Sequence, residues 1–271
     1  KTAYEISTRD WSSDVCSSDL AANAAAATKQ EAANYPFVSV VTPTYNRRRF
    51  LPALLSCYRA QTYPKHRMEW IILDDGTDSV EDVFTAAAAA AGIPNLRYIR
   101  LPEKATIGAK RNRLNEEARG EIIVAMDDDD YYSPERVAAV VAAFKKQPKV
   151  ELAGASEIYM YYSDIEVIYK LGPYNPNHAT NGTMAWRASY GATHRYDETV
   201  THAEEKSFLE NYKHPMIQLD PMKVMLVMSH SENTFDKTKM REVESPVVKK
   251  TAMKLNQFIK DKGLRDFFKN A

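Results

Sequence analysis

Gly120-Glu-Ile-Ile-Val-Ala-Met-Asp-Asp-Asp-Asp130 decides the fold. Its apolar run, Ile122 to Met126, has the length of a buried strand, with Gly120 before it and Pro134 after it. Four successive carboxylates at a strand's end repel one another unless a cation sits among them. Hard oxygen donors of this kind suit Mg²⁺ or Mn²⁺. Open α/β sheets bind ligands beyond the carboxyl ends of their strands. The stretch therefore predicts a metal site at the mouth of an α/β fold. The other reading, a solvated acidic loop, fits the strand context less well.

The same pattern recurs upstream. Phe37 to Thr42 (FVSVVT) is β-branched and apolar and reads as a first strand, ended by Pro43. Between Arg48 and Gln61, Leu51, Leu54, Leu55 and Tyr58 recur at helical spacing. Glu69 to Leu73 is a second strand, running into a turn at Asp74-Asp75-Gly76, where Gly76 supplies backbone freedom. Val80 to Ala91 reads as a helix closed by Gly92 and Pro94, Leu96 to Arg100 as a third strand, and Ile107 to Ala118 as a helix. Ser133-Pro134-Glu135 predicts another helix start, with Ser133 as its cap. Strands alternating with helices imply βαβ units and a mostly parallel sheet. Right-handed crossovers would bring Thr44-Tyr45-Asn46, Asp74-Asp75 and the four aspartates to one edge.

After Val150 the pattern changes. Leu152 to Tyr162 and Ile165 to Leu171 read as antiparallel strands, and Thr183 to Ala188 as a short strand. Ala203 to Tyr212 reads as a short helix, and Lys223 to Met228 as a strand leading into Ser229-His230. Pro246 to Lys260 and Gly263 to Lys269 form a basic helical tail. It either packs on the domain with a solvated basic face or makes peripheral contact with an anionic membrane or polyanionic acceptor.

The 271 residues include 36 basic and 36 acidic side chains, so no basic surplus points to nucleic acid. No apolar segment reaches the ~18 residues of a membrane span. Cys16 and Cys57 make neither a disulfide framework nor a metal motif, which points to a reducing, cytoplasmic setting. Asp10-Trp-Ser-Ser-Asp-Val-Cys-Ser-Ser-Asp-Leu20 has no period and resembles a sequencing adapter read in frame. The expected organisation is a non-native scar plus Ala-rich linker over 1–34, a catalytic domain over 35–236 and the tail over 237–271.

Four motifs in order carry a family resemblance: Val40-Val-Thr-Pro-Thr-Tyr-Asn46, Ile72-Leu-Asp-Asp-Gly-Thr77, Gly108-Ala-Lys-Arg-Asn112 and Met126-Asp-Asp-Asp-Asp130. A fifth, His202-Ala-Glu-Glu205, follows. With these the chain resembles the family 2-like inverting glycosyltransferases of the GT-A fold. The implied fold is a Rossmann-like, mostly parallel sheet with helices on both faces and a smaller mixed or antiparallel acceptor-side portion. The implied reaction moves a sugar from a nucleoside-diphosphate sugar, with UDP favoured, to a hydroxyl of a glycan, protein or lipid-linked acceptor.

The resemblance makes Asp127-Asp128-Asp129 the DXD element. It implies that Asp129 binds Mn²⁺ or Mg²⁺ directly and that Asp127 faces the ribose or a metal-bound water. Pro43, Tyr45, Asp74, Arg111, Asp127 and Asp128 would line the nucleotide site, with Asp74 accepting from the nucleobase and Tyr45 lying against it. Arg111 has a second reading, an ion pair with a neighbouring Glu. Asp130 either joins the site or caps the next helix. His230 would be a C-terminal metal ligand or a hydrogen-bonded histidine. Glu205 aligns with the catalytic base, where the family usually carries Asp. Either Glu205 serves, or Glu204 takes the role, or both only complement a helix N-terminus. Trp186 is read as acceptor-site wall or core, and Asn181-Gly-Thr183 as a loop rather than a glycosylated sequon. Two other functions fit less of the sequence: a non-catalytic nucleotide-sugar-binding protein, and a metal-dependent nucleotidyltransferase, for which the Gly-rich phosphate loop is missing.

Overall fold

A computed structural model describes residues 28, 30, 31, 34–91, 93–233, 237–242 and 245–271. The chain divides into two compact units, Lys1–Pro36 and Phe37–Ala271. The adapter-like segment with Cys16 and almost all of the Ala-rich linker lie outside the described residues, as does Gly92. Two sheets make up the second unit.

The first sheet has seven strands: β1 (Val38–Thr44), β2 (Met68–Asp74), β3 (Leu96–Arg100), β4 (Ile122–Ala125), β6 (Leu152–Gly154), β9 (Ala185–Arg187) and β10 (Met216–Gln218). Their order is β10-β6-β9-β4-β1-β2-β3. β1 pairs parallel with both β2 and β4, so chain order reverses on either side of it. That reversal opens a crevice at the strands' carboxyl ends. β9 runs antiparallel to β4 and β6.

Successive side chains of a strand point to opposite faces, and the core divides accordingly. Val38, Val40, Trp70, Ile72, Ile122 and Val124 enter one cluster with α1 (Leu51–Ala60), α2 (Glu81–Ala91) and α4 (Arg136–Lys146). Val41, Ile71, Leu73, Ile123 and Ala125 enter the other, against Leu114 of α3 (Ile107–Glu117), Tyr190 of α5 (Ala188–Thr193) and Phe208 of α6 (Glu205–Phe208). Apolar side chains on both faces explain why these strands read as unbroken apolar runs.

The second sheet is mixed, in the order β12-β8-β7-β11-β5. It contains β5 (Tyr131–Tyr132), β7 (Ile158–Tyr162), β8 (Val167–Leu171), β11 (Met225–Ser229) and β12 (Val248–Lys250). β7 and β8 form the expected antiparallel pair, while β11 runs parallel to β7.

Several boundaries differ from the sequence reading. Leu152 to Tyr162 is two strands in two sheets, β6 and β7. Ala203 to Tyr212 yields one helical turn, because Ala203, Glu210, Asn211 and Tyr212 all have left-handed backbone. Ser133 caps a turn through Glu135 N–H, and α4 begins only at Arg136. Residues 246–260 are mostly not helical: they contribute β12 and one turn, α8 (Leu255–Phe258). After α7 (Lys239–Glu242), the chain ends in α9 (Lys262–Lys269). Phe258, Ile259 and Phe268 are buried in the first core cluster, and β12 pairs with β8. The apolar side of the tail is thus part of the unit. Among the described residues, no helix is long and apolar enough to cross a membrane.

Candidate active site

The register of β1 and β4 builds the crevice. Val41 lies opposite Ala125, so Thr44 reaches the residues just beyond β4. Its hydroxyl donates to Asp128 Oδ2 at 2.7 Å. The four aspartates then part company. Asp127 receives the Arg111 guanidinium at 3.0 Å, and Asp129 Oδ2 lies 3.3 Å from His230 Nε2. Asp130 accepts from Met228 N–H of β11 at 2.7 Å and faces Lys237. It joins the two sheets and caps no helix, which corrects one of its two expected roles.

Crowding shows in the electrostatics. Burial and then the Asp129 charge push Asp128 up to about 8, against its bond from Thr44. Burial likewise pushes Asp130 up to about 7, while Lys237 pulls it back. Burial would raise Asp129 too, but His230, Lys237 and Arg47 outweigh it and hold this carboxyl below the usual range. Charge is thus favoured at Asp129 and disfavoured at Asp128 and Asp130.

His230 ends β11 and packs its buried ring on Phe50, 4.5 Å between centroids. Asn233 Nδ2 approaches Nε2 at 2.8 Å, and Glu232 N–H approaches Nδ1 at 3.2 Å. A neutral imidazole has a single lone pair and cannot accept from both donors, so these contacts do not fix the tautomer. With its proton on Nε2 the ring donates to Asp129 Oδ2 at 3.3 Å; with Nε2 unprotonated, a cation between the two atoms takes the proton's place. The donor set, one hard carboxylate and one imidazole, fits Mn²⁺ better than Mg²⁺. Arg47, only 3.6 Å from Asp129, supplies positive charge at the same place.

Arg111 organises the other wall. α3 starts at the Thr106 cap and presents Lys110, Arg111 and Asn112, all buried. Gly108 is required because a Cβ there would lie 2.2 Å from the Asp197 carbonyl oxygen. Arg111 Nε donates to Glu204 at 2.7 Å while its far nitrogens hold Asp127. Burial opposes the charge on Arg111, but Asp127 and Glu204 outweigh it and raise the guanidinium's pKa. With its amide turned so that oxygen faces the guanidinium (2.7 Å), Asn181 becomes a third partner and donates to Tyr196 Oη. Of the two readings for Arg111, the structure shows ion pairing, with Asp127 and Glu204 rather than a neighbour on its own helix.

Glu204 and Glu205 are adjacent but differ. Glu204 is buried and engaged by Arg111. Glu205 is partly exposed, and burial plus the Glu204 charge push it up to about 7, against the pull of Arg111. A carboxyl poised near neutrality suits proton transfer.

The nucleotide-side residues are less uniform. Tyr45 is half-buried, with Lys104 Nζ 4.3 Å and Lys110 Nζ 5.8 Å from its ring centre. Pro43 is buried within β1 opposite Leu73. Asp74 departs from expectation. It has no exposed surface, and its oxygens accept from Gly76 N–H, Val80 N–H and Tyr98 Oη. The carboxylate here orders the turn after β2 and does not face open space. Gly76 is needed for close approach, since a Cβ there would lie 2.7 Å from Asn46 N. Trp186 is core: fully buried, edge-on to Phe208, its Nε1 donating to Asn115.

The sequence places Thr44 at the sheet edge without a partner for it, and reasoning from it misses Arg47, Lys110, Asn181 and Lys237. Lys110 pairs with Asp75 at 2.7 Å. Thr44, Arg47 and Lys110 lie inside or beside the motifs. Asn181 and Lys237 arrive from distant segments without a local signal.

Comparison with known proteins places the family and the fold. The family model described as "Glycosyl transferase family 2" matches residues 39–185. Glycosyltransferase AglE of Haloferax volcanii is 32% identical over 95 residues, 35% of this chain and 31% of that protein. The chain spans less than two fifths of the length of the curated relatives it matches. Among solved structures, the mannosyltransferase PcManGT from Pyrobaculum calidifontis, in complex with GDP-Man and Mn²⁺, superposes with a TM-score of 0.59. That match has 16% identity and covers 73% of this chain and 58% of that one. S. aureus TarS 1-349 in complex with UDP-GlcNAc gives 0.58 and 19% identity, covering 72% and 59%. The α/β architecture is thus that of GT-A-like neighbours.

Proposed function

We propose, from the premise that the chain belongs to glycosyl transferase family 2, an inverting family, that it moves a sugar from a nucleoside-diphosphate sugar to an acceptor hydroxyl with a divalent cation at Asp129 and His230. The observation that carries this reading is the split between the two walls of the crevice. One wall gathers Asp127, Asp128, Asp129 and His230, and the other presents Glu205 with a carboxyl pushed up to about 7.

Asp129 and His230 would hold the ion, Mn²⁺ or Mg²⁺, with Asp127 and Asp128 beside it. Bound there, it serves as a Lewis acid that stabilises charge on the departing diphosphate. The remaining work falls to the protein's own groups. Tyr45, flanked by Lys104 and Lys110, offers a ring face for the base and positive charge for the phosphates. Arg111 spans Asp127 on the donor wall and Glu204 on the acceptor wall, fixing the distance between them. Glu204, committed to that ion pair, positions its neighbour. Glu205 accepts the proton of the attacking hydroxyl, on the face opposite the leaving group, which is the requirement for inversion.

A uridine donor is the first version to test, supported by the neighbour solved with UDP-GlcNAc; the neighbour with GDP-Man makes guanosine the alternative. The test is release of nucleoside diphosphate from a panel of nucleotide sugars, with Mn²⁺, Mg²⁺ or chelator. Release from one donor, abolished by chelator, is expected. Failure of every nucleotide sugar to bind in the presence of metal would remove the assignment.

A further inference from the structure

We propose that His194, Glu210 and His214 form a second, structural cation site of the Zn²⁺ class, on the acceptor side and separate from the donor site. The three offer one ligand atom each, and those atoms lie within 4.8 Å of one another. His214 Nε2 is 3.0 Å and His194 Nε2 is 3.9 Å from the Glu210 carboxylate. Donors around a tetrahedral zinc lie about 3.4 Å apart, so closure needs side-chain shifts of about 1 Å. The three side chains are 20–41% exposed, which leaves both that freedom and an entry path.

The hydrogen bonding around His194 selects the ligating nitrogen. Its Nδ1 faces the Tyr190 carbonyl oxygen at 3.1 Å, with Thr193 Oγ1 at 2.9 Å. A carbonyl can only accept, so Nδ1 carries the proton and Nε2 keeps its lone pair. Metal-bound histidines commonly show this arrangement, the outer N–H held by a backbone carbonyl. The ring is also fixed by stacking on Tyr190, 3.8 Å between centroids and 2° from parallel, and His214 meets both rings edge-on. A lone pair facing a carboxylate is satisfied by a second ring proton or by a cation between them, and with His214 converging on the same carboxylate one cation serves all three groups. Lys213 Nζ pairs with the same Glu210 oxygen as His214, but its side chain is 64% exposed and can withdraw at little cost. Two imidazoles and one carboxylate are a zinc-type donor set, with a fourth position left for water.

The place of the site gives it a purpose. α6 carries Glu205 at its first turn, and the chain then passes through Glu210, Asn211 and Tyr212, three consecutive residues in the left-handed region. That conformation is disfavoured for residues with a Cβ. A cation binding Glu210 and His214 to His194, just beyond α5, would pin this segment to the core and steady the wall that bears the base.

The test uses chelator-treated full-length protein and Zn²⁺ alone, followed by equilibrium dialysis and by thermal unfolding. Asp129→Ala removes one of the two donor-site ligands, and the histidine substitutions below show whether the equivalent that this variant binds sits at the second site. Adding His214→Gln should weaken this equivalent at least about tenfold and cancel the Zn²⁺-induced rise in Tm. His194→Asn should do the same and serves if the first combination fails to fold. Co²⁺ in place of Zn²⁺ should give visible absorption in Asp129→Ala that either histidine variant abolishes. If Asp129→Ala binds no Zn²⁺, or if both histidine variants bind it unchanged, the site does not exist. The donor-site reading is untouched by either result.

Discussion

The two halves of the crevice are built by different means. The donor wall comes from β1, β2 and β4 and the turns directly after them, with His230 added from the end of β11, so most of its groups are placed by neighbours in sequence. The acceptor wall comes from α5 and α6, and its groups are placed by contacts across the chain. Arg111 belongs to the first wall by sequence but ties both together through Asp127 and Glu204. In the proposed reaction, the groups that would hold a charged diphosphate sit at the ends of parallel strands fixed on both faces, and those that would meet an acceptor sit on short elements joined by turns with left-handed residues.

The largest effect should come from the donor wall. Asp129→Ala should lower turnover by roughly 10³-fold in a nucleotide-release assay, because several kcal/mol of cation-borne stabilisation is lost. An unaffected rate would break the assignment of that wall. The tie between walls comes next. Arg111→Leu leaves the buried Glu204 and the half-buried Asp127 carboxylates unpaired and should cost about 3–5 kcal/mol in denaturant unfolding. A cost near zero would mean that the walls are held elsewhere. In the tail, Phe268→Ala empties a buried ring's place against Tyr131 and Phe267. It should cost about 3–4 kcal/mol, which chemical denaturation would measure, and would show the tail to be part of the core. The smallest effect should be Tyr45→Ala, which removes about 1–2 kcal/mol of stacking and raises the donor KM roughly tenfold with little change in kcat.

The same contrast governs how much of the molecule is legible in its sequence. Ile122 to Met126 and the aspartates that follow announce their role because strand, strand end and ligands are contiguous. Trp70, Ile71 and Ile72 fill both faces of one strand and read as an apolar run for that reason. β6, β9 and β10 have three residues each, too short for a period, and exist through pairing with one another and with β4. The helix read over Ala203 to Tyr212 has adequate local propensity but is overridden by the left-handed turn that presents Glu210. Asp74 marks the limit for the site. Its position after β2 is legible, but the donors that occupy its oxygens, Val80 N–H and Tyr98 Oη, come from residues with no motif. Asn181 reaches Arg111 from a segment that reads only as a loop.

The division of labour between Glu204 and Glu205 is the central claim, and a pH–rate profile tests it most directly. A base works deprotonated, and the Glu205 carboxyl is raised to about 7, so the rate should climb with pH and level off above that value. Below it, the rate should fall about tenfold per pH unit. Glu205→Gln should reduce kcat by about 10²–10⁴-fold and flatten this limb, while nucleotide-sugar binding is retained. If Glu205→Gln keeps the wild-type rate and profile, or if Glu204→Gln alone removes the limb, then Glu205 is not the base.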